Sequence, residues 1–201
     1  MKKFGAIIVI FFFSLNVYAE TTSFGFNVDF PTHYKIYKNV NLVDLLKRYQ
    51  GNKLDKNFAE KEFKDLGLKT NKITMDFLLS KRFDAKFNNI NISADKNSDP
   101  LNLQQLRNPE IRMMCLYMKD FYQKAYKQPN LKQHSCSVSK QLNVLSFKMV
   151  HDGPQSNLND RLIQFLIENR RYGLITFTLG CEIKNCYQME SDLIKIANSV
   201  R

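Results

Sequence analysis

Between Cys136 and Leu179 the chain reads as successive apolar–polar alternations parted by short polar turns, and this pattern limits the fold more than any other stretch. Cys136 and Val138 alternate in a short run. Leu145, Phe147 and Met149 make the next, ended by His151-Asp152-Gly153-Pro154. Ile163, Phe165 and Ile167 follow, turned by Glu168-Asn169-Arg170-Arg171. Ile175, Phe177 and Leu179 come last, with Thr176 and Thr178 on the opposite face. Alternation with period two gives each strand one apolar face. Connections this short join antiparallel neighbours, which predicts a meander. Met189, Leu193, Ile196 and Val200 recur at helical spacing and predict a closing helix packed on that sheet.

The N-terminal half alternates differently. Phe24, Phe26, Val28 and Phe30 point one way, Pro31 stops the run, and Tyr34 and Ile36 begin another. The pair predicts a hairpin turned at Pro31-Thr32-His33. Leu42, Leu45, Leu46 and Tyr49 then follow helical spacing behind an Asn41 cap, closed by Gly51. A second helix is expected from Asn57, with Glu60 as a capping-box partner and Gly67 as its stop. Ile73, Phe77 and Leu78 suggest a third, so 41–81 reads as a helical insert between strands. Asn89 to Ala94 alternates as a strand. Leu101 to Lys127 is helical in pattern, with Pro109 marking a fresh helix start. Its stripe of Met114, Tyr117, Met118, Phe121 and Ala125 reads as core rather than as a ligand-binding face. No repeat or low-complexity linker is read in the sequence, and no second domain is expected.

Residues 1–19 carry the three parts of a cleavable signal peptide: Lys2 and Lys3, the apolar run around Ile7 to Phe13, and Val17-Tyr18-Ala19 before Glu20. The run is shorter than the roughly 20 residues a membrane span needs, and no later segment is apolar enough. Residues 20–201 are then expected as a single α+β domain in the periplasm or secreted. The formal net charge of the full chain is +11, with basic residues scattered and mostly accompanied by acids. That favours a solvated basic surface, with an acidic protein or envelope partner as the specific alternative, and carries no specific nucleic-acid signal.

An even count of cysteines in an exported chain suggests disulfides. Three pairings of Cys115, Cys136, Cys181 and Cys186 are open. The short loop Cys-Glu-Ile-Lys-Asn-Cys favours Cys181–Cys186, leaving Cys115–Cys136. A redox dithiol prefers two intervening residues and a metal knuckle two to four, so the four here permit a metal without recommending it. With no histidine beside Cys181 or Cys186, a structural staple is the better account.

Nothing in the chain amounts to an active site, and no metal site or cofactor is expected. His33, His134 and His151 all fall in expected turns or loops, without helical ligand spacing. No nucleophile elbow or Gly-rich phosphate loop occurs. His151-Asp152 ends a strand, where Gly153-Pro154 makes a turn the simpler account than a general base. Arg170-Arg171-Tyr172 is the sharpest surface feature: two guanidinium groups and a phenol at a hairpin tip, able to grip a carboxylate or phosphate.

Phe26-Asn27-Val28-Asp29-Phe30-Pro31 with Tyr34 after it, and Leu174-Ile175-Thr176-Phe177-Thr178-Leu179 with a helix ending Ile196-Ala197-Asn198-Ser199-Val200, resemble the opening strand and the last strand and helix of the PsbP/Mog1-like family. That resemblance covers most of 24–200. It implies a single-domain α/β/α sandwich with an antiparallel sheet, like the exported bacterial proteins of the DcrB kind. It implies a non-enzymatic adaptor or binding scaffold and transfers no catalytic residues. Two functional readings follow: an exported interaction module of the envelope or secreted milieu, with a toxin or hydrolase inhibitor as a variant, and an exported hydrolase with a dispersed site. A pocket where a His or Cys meets a carboxylate would favour the hydrolase.

Overall fold

The computed structural model describes residues 17–41, 74–83, 88–153 and 160–201. In chain order the elements are β1 (Val17–Thr21), β2 (Asn27–Pro31), β3 (Tyr34–Asn41), β4 (Thr74–Ser80), β5 (Asn89–Asp95) and α1 (Asn108–Ala125). They continue with β6 (Gln133–Ser139), β7 (Ser146–Asp152), β8 (Asp160–Asn169), β9 (Gly173–Glu182) and α2 (Ile183–Asn198). β3 to β9 form one seven-stranded sheet in the order β3-β4-β5-β9-β8-β7-β6, antiparallel at every pairing. The C-terminal meander and closing helix are as the alternation predicts.

The strands β8 and β9 sort their side chains by parity. Ile163, Phe165 and Ile167 share a buried cluster with Ile175, Phe177 and Leu179, under Met189, Leu193 and Ile196 of α2. Leu162 and Leu166 face the other way, toward Tyr122 and Met118 of α1. The sheet is therefore covered by α2 on one face and by α1 on the other, an α+β sandwich. Each fully buried Phe, Leu or Ile contributes about 1.5–3 kcal/mol to holding the layers together. α2 leaves β9 without a loop, and the Cys181–Cys186 disulfide closes the junction. Cys115–Cys136 ties α1 to β6. No helix among the described residues is long and apolar enough to cross a membrane.

Several expectations change. β2 does not pair with β3. It pairs with β1 as a separate two-stranded ribbon, whose Phe26, Val28 and Phe30 enter the core on the α2 side. Phe24 lies in the turn of that ribbon, where Gly25 takes a φ of +85° and Gly25 N–H donates to Thr22 O at 3.1 Å. β1 includes Val17–Ala19, the expected cleavage motif. Residues 1–16 lie outside the described residues, as do the helices expected over 42–67.

The segment expected as a third helix is β4. Phe77 and Leu78 are both buried although they point to opposite faces, so the period-two signal is erased and their spacing to Ile73 mimics a helical turn. The helical pattern from Leu101 also shortens. Helix α1 starts at Asn108, with Pro109 in its first turn and Glu110 accepting the Arg107 N–H at 2.7 Å. Within α1 Tyr117 is 51% exposed rather than core. The disulfide draws the Cys115 side onto β6, and a residue two positions later is rotated about 200° away.

One buried carboxylate organises the N-terminal corner. Asp76 of β4 accepts from the Ser23 N–H at 2.8 Å, the Ser23 hydroxyl at 2.5 Å and the Asn39 N–H at 3.0 Å. It thereby clamps the ribbon turn to the bulge of β3, where Asn39 has a φ of 55°.

Candidate functional site

The β8–β9 tip is built by Asn169 and Gly173, which pair across it. Asn169 Oδ1 accepts the N–H groups of Arg171 at 2.9 Å and Tyr172 at 3.2 Å, an Asx turn that needs no other residue. Gly173 takes a φ of +75°, as a short hairpin loop of this kind requires. Arg170 and Arg171 are exposed, as the sequence predicts. Tyr172 is not. The turn points its ring inward, 5.2 Å from the ring of Phe26, where its hydroxyl donates to Gly25 O at 3.2 Å. Burying the phenol with a satisfied hydroxyl wins over exposing it at the tip.

A cleft of about 860 Å³ opens beside the arginines. Its second wall is the 96–105 segment, held by Glu168, whose carboxylate accepts the N–H groups of Asn102 at 2.7 Å and Leu103 at 3.0 Å. Its third is the 143–145 turn, anchored by Asn143 N–H donating to Asn198 Oδ1 at 2.6 Å. Leu103 is buried at the floor, while Val144 is 48% exposed. Arg170 has no ion pair with any described residue, and the Arg171 guanidinium lies over the Tyr172 ring at 5.2 Å. Side-chain amides of Asn102, Gln104, Gln105 and Asn143 complete a polar wall. The arrangement offers cations at the rim, amides on the walls and a small apolar floor. It suits a carboxylate-bearing chain better than a reacting small molecule.

The histidines sit elsewhere. His33 is in a turn, and its Nε2 meets the buried Asp192 carboxylate at 3.0 Å, beside the Tyr34 hydroxyl at 3.3 Å. Burial pulls the His33 pKa down against the pull of Asp192. His134 and His151 lie within β6 and β7 rather than in turns, because each strand runs on past its alternating apolar part. The His151 ring is buried 4.1 Å from the ring of Tyr122, and burial lowers its pKa to about 4. Its Nδ1 is 2.7 Å from the Asp152 carbonyl, the geometry of a donated hydrogen bond. His134 Nε2 meets the Asp152 carboxylate at 2.7 Å. Neither His–carboxylate pair has a hydroxyl or thiol nucleophile bonded to its imidazole among the described residues, and Cys115 and Cys136 are joined. Among the described residues no group of three or more His, Cys, Asp or Glu is placed to hold a metal ion.

No family model matches the chain, and no curated protein matches it by sequence. The fold does find a solved counterpart: the solution structure of cyanobacterial PsbP (CyanoP) from Synechocystis sp. PCC 6803, with a TM-score of 0.56 at 12% identity, covering 98% of this chain and 97% of that one.

The fold is PsbP-like.

At that identity the likeness concerns the backbone alone. Within the PsbP-like frame, Arg170 and Arg171 were findable as adjacent charges between two alternating runs. The 96–105 and 143–145 walls carry no such signal, because loops far apart in the chain meet only through the sheet.

Proposed function

We propose that the chain is an exported, non-enzymatic binding protein of the bacterial envelope or secreted milieu, in the manner of DcrB-type domains, and that it engages a protein partner at the β8–β9 tip. The observation that carries this reading is the exposed Arg170 at the rim of the cleft, which makes no ion pair with a described residue, beside Arg171. An exposed cation over an amide-lined groove is suited to an acidic side chain or chain terminus. Two disulfides within a chain opening on a signal-like segment support export.

The test is affinity capture by the oxidised protein from envelope and culture fractions, in parallel with Arg170→Ala/Arg171→Ala. A partner captured by wild type and lost by the double variant is expected. A partner held equally by both moves the site off the tip. Export is read separately from the mass of the protein in each fraction. A mature N-terminus at Glu20 is expected, which removes Val17–Ala19 and leaves Glu20 and Thr21 paired with Val28 and Asn27.

A further inference from the structure

The two edges of the large sheet are unlike. β3 carries Lys35, Lys38 and a bulge between Tyr37 and Val40, the devices by which edge strands avoid pairing with other chains. β6, at the opposite edge, has a bulge only at its start. From Ser135 to Ser139 it runs in regular register with Val150 to Ser146, and this Ser-Cys-Ser-Val-Ser stretch holds no charge and no proline. His134, Ser135 and Ser137 are exposed, and among the described residues no strand pairs with the outer side of β6.

A groove of about 800 Å³ lies against the start of that edge, between Lys119 and Gln123 of α1 and the segment from Pro129 to His134. The cations around the strand make no side-chain ion pair with a described residue, Lys132 acting on the nearby Asp152 carboxylate only at longer range. Lys119 and Lys132 line the groove, Arg112 stands one helical stretch before Lys119, and Lys140 follows the end of β6. His134, by contrast, is taken by Asp152 and Lys148 by Glu190.

We propose that β6 receives an added strand from an acidic extended segment of another protein. Its backbone would pair with the outward N–H and C=O groups of Ser135–Ser139, and its carboxylates would lie against Lys119 and Lys132. A second copy of this chain fits less well. An antiparallel β6–β6 pairing lays the Lys132 end of one copy beside the Lys140 end of the other, like charge on like charge. The surface is separate from the β8–β9 tip, and either can fail without the other.

The probe is a fluorescein-labelled peptide of about eight residues alternating Glu and Val, matched in length to one strand, titrated with the full oxidised chain and followed by anisotropy. Saturable binding is expected, weakened by about tenfold or more in Lys119→Glu/Lys132→Glu. The charge-matched control Lys35→Glu/Lys184→Glu, remote from β6, is expected to bind as wild type does. A peptide N-methylated at alternate residues keeps its charges but cannot form a ladder, and it should not bind. Equal binding of the N-methylated peptide, or of a Lys/Val peptide, overturns the proposal. So does no binding by the unmodified peptide, or a sedimenting dimer that the peptide dissociates.

Discussion

The hydroxyl of Tyr172 donates to the carbonyl of Gly25 at 3.2 Å across 147 residues of sequence, tying the β8–β9 tip to the turn of the β1–β2 ribbon. The tip arginines are thus held from beneath. Tyr172→Phe keeps the ring contact with Phe26 and loses the hydrogen bond, which should lower stability by about 1 kcal/mol. Tyr172→Ala should cost about 3–5 kcal/mol, because it also empties the site under the ribbon. Urea unfolding of both variants checks the difference.

Gly173 has a φ of +75°, and a side-chain carbon there would run into the carbonyl oxygen and backbone of Asp95. Gly173→Ala should therefore cost at least about 1–3 kcal/mol, since left-handed strain and a backbone clash add. Thermal unfolding reads the loss. A change within error would mean that the 95–96 backbone gives way.

Asp76 holds two backbone donors and a hydroxyl in a position 1% exposed. Asp76→Ala leaves those groups without their acceptor and should cost about 2–4 kcal/mol, more than removal of a surface carboxylate. Amide exchange should rise first at Ser23 and Asn39.

Acid should weaken the fold before the carboxylates titrate. His151 has a folded pKa of about 4, depressed by burial, against about 6.5 when unfolded. Between those values the unfolded chain binds the extra proton, so stability falls as pH drops from about 6.5 to about 4, by about 3 kcal/mol if this group acts alone. His33, also depressed by burial, adds in the same direction. His151→Phe, which keeps a ring against Tyr122, should flatten the slope in that window. An unchanged slope would assign it elsewhere.

The disulfides should contribute unequally. Cys115–Cys136 closes a separation of 21 residues and Cys181–Cys186 one of 5, so chain entropy assigns them about 3 and about 2 kcal/mol. Replacing each pair by alanines and comparing unfolding free energies tests the ranking.

What could be read in advance depended on one-sided burial. β9 alternates because Ile175, Phe177 and Leu179 are buried under α2 while Thr176 and Thr178 are only half-buried on the other face. Phe165 of β8 shares the α2 face with them, and Phe147 and Met149 announce β7 from the α1 face. β4 hid itself by burying Phe77 and Leu78 on opposite faces. β1 was obscured because the small and apolar residues of Val17-Tyr18-Ala19 satisfy a cleavage motif as readily as a ribbon strand. At the tip, consecutive arginines were visible as charge, but the inward turn of Tyr172 was not. Whether a phenol next to two guanidinium groups faces water depends on the pocket beside Phe26, supplied by a segment that local pattern cannot place.

The ribbon strand β2 is among the first parts of this domain to be synthesised, yet what covers it comes last. Asn27 exchanges backbone hydrogen bonds with Arg201, at 2.9 and 3.1 Å, and Phe26, Val28 and Phe30 pack in the cluster completed by Met189, Leu193 and Ile196. Until α2 is in place, the ribbon lacks the part of its cover that Met189, Leu193 and Ile196 supply. Closing this layer therefore waits on contacts across 170 residues of sequence, such as the Asp29 N–H donating to Ser199 Oγ, the kind of non-local pairing that slows folding.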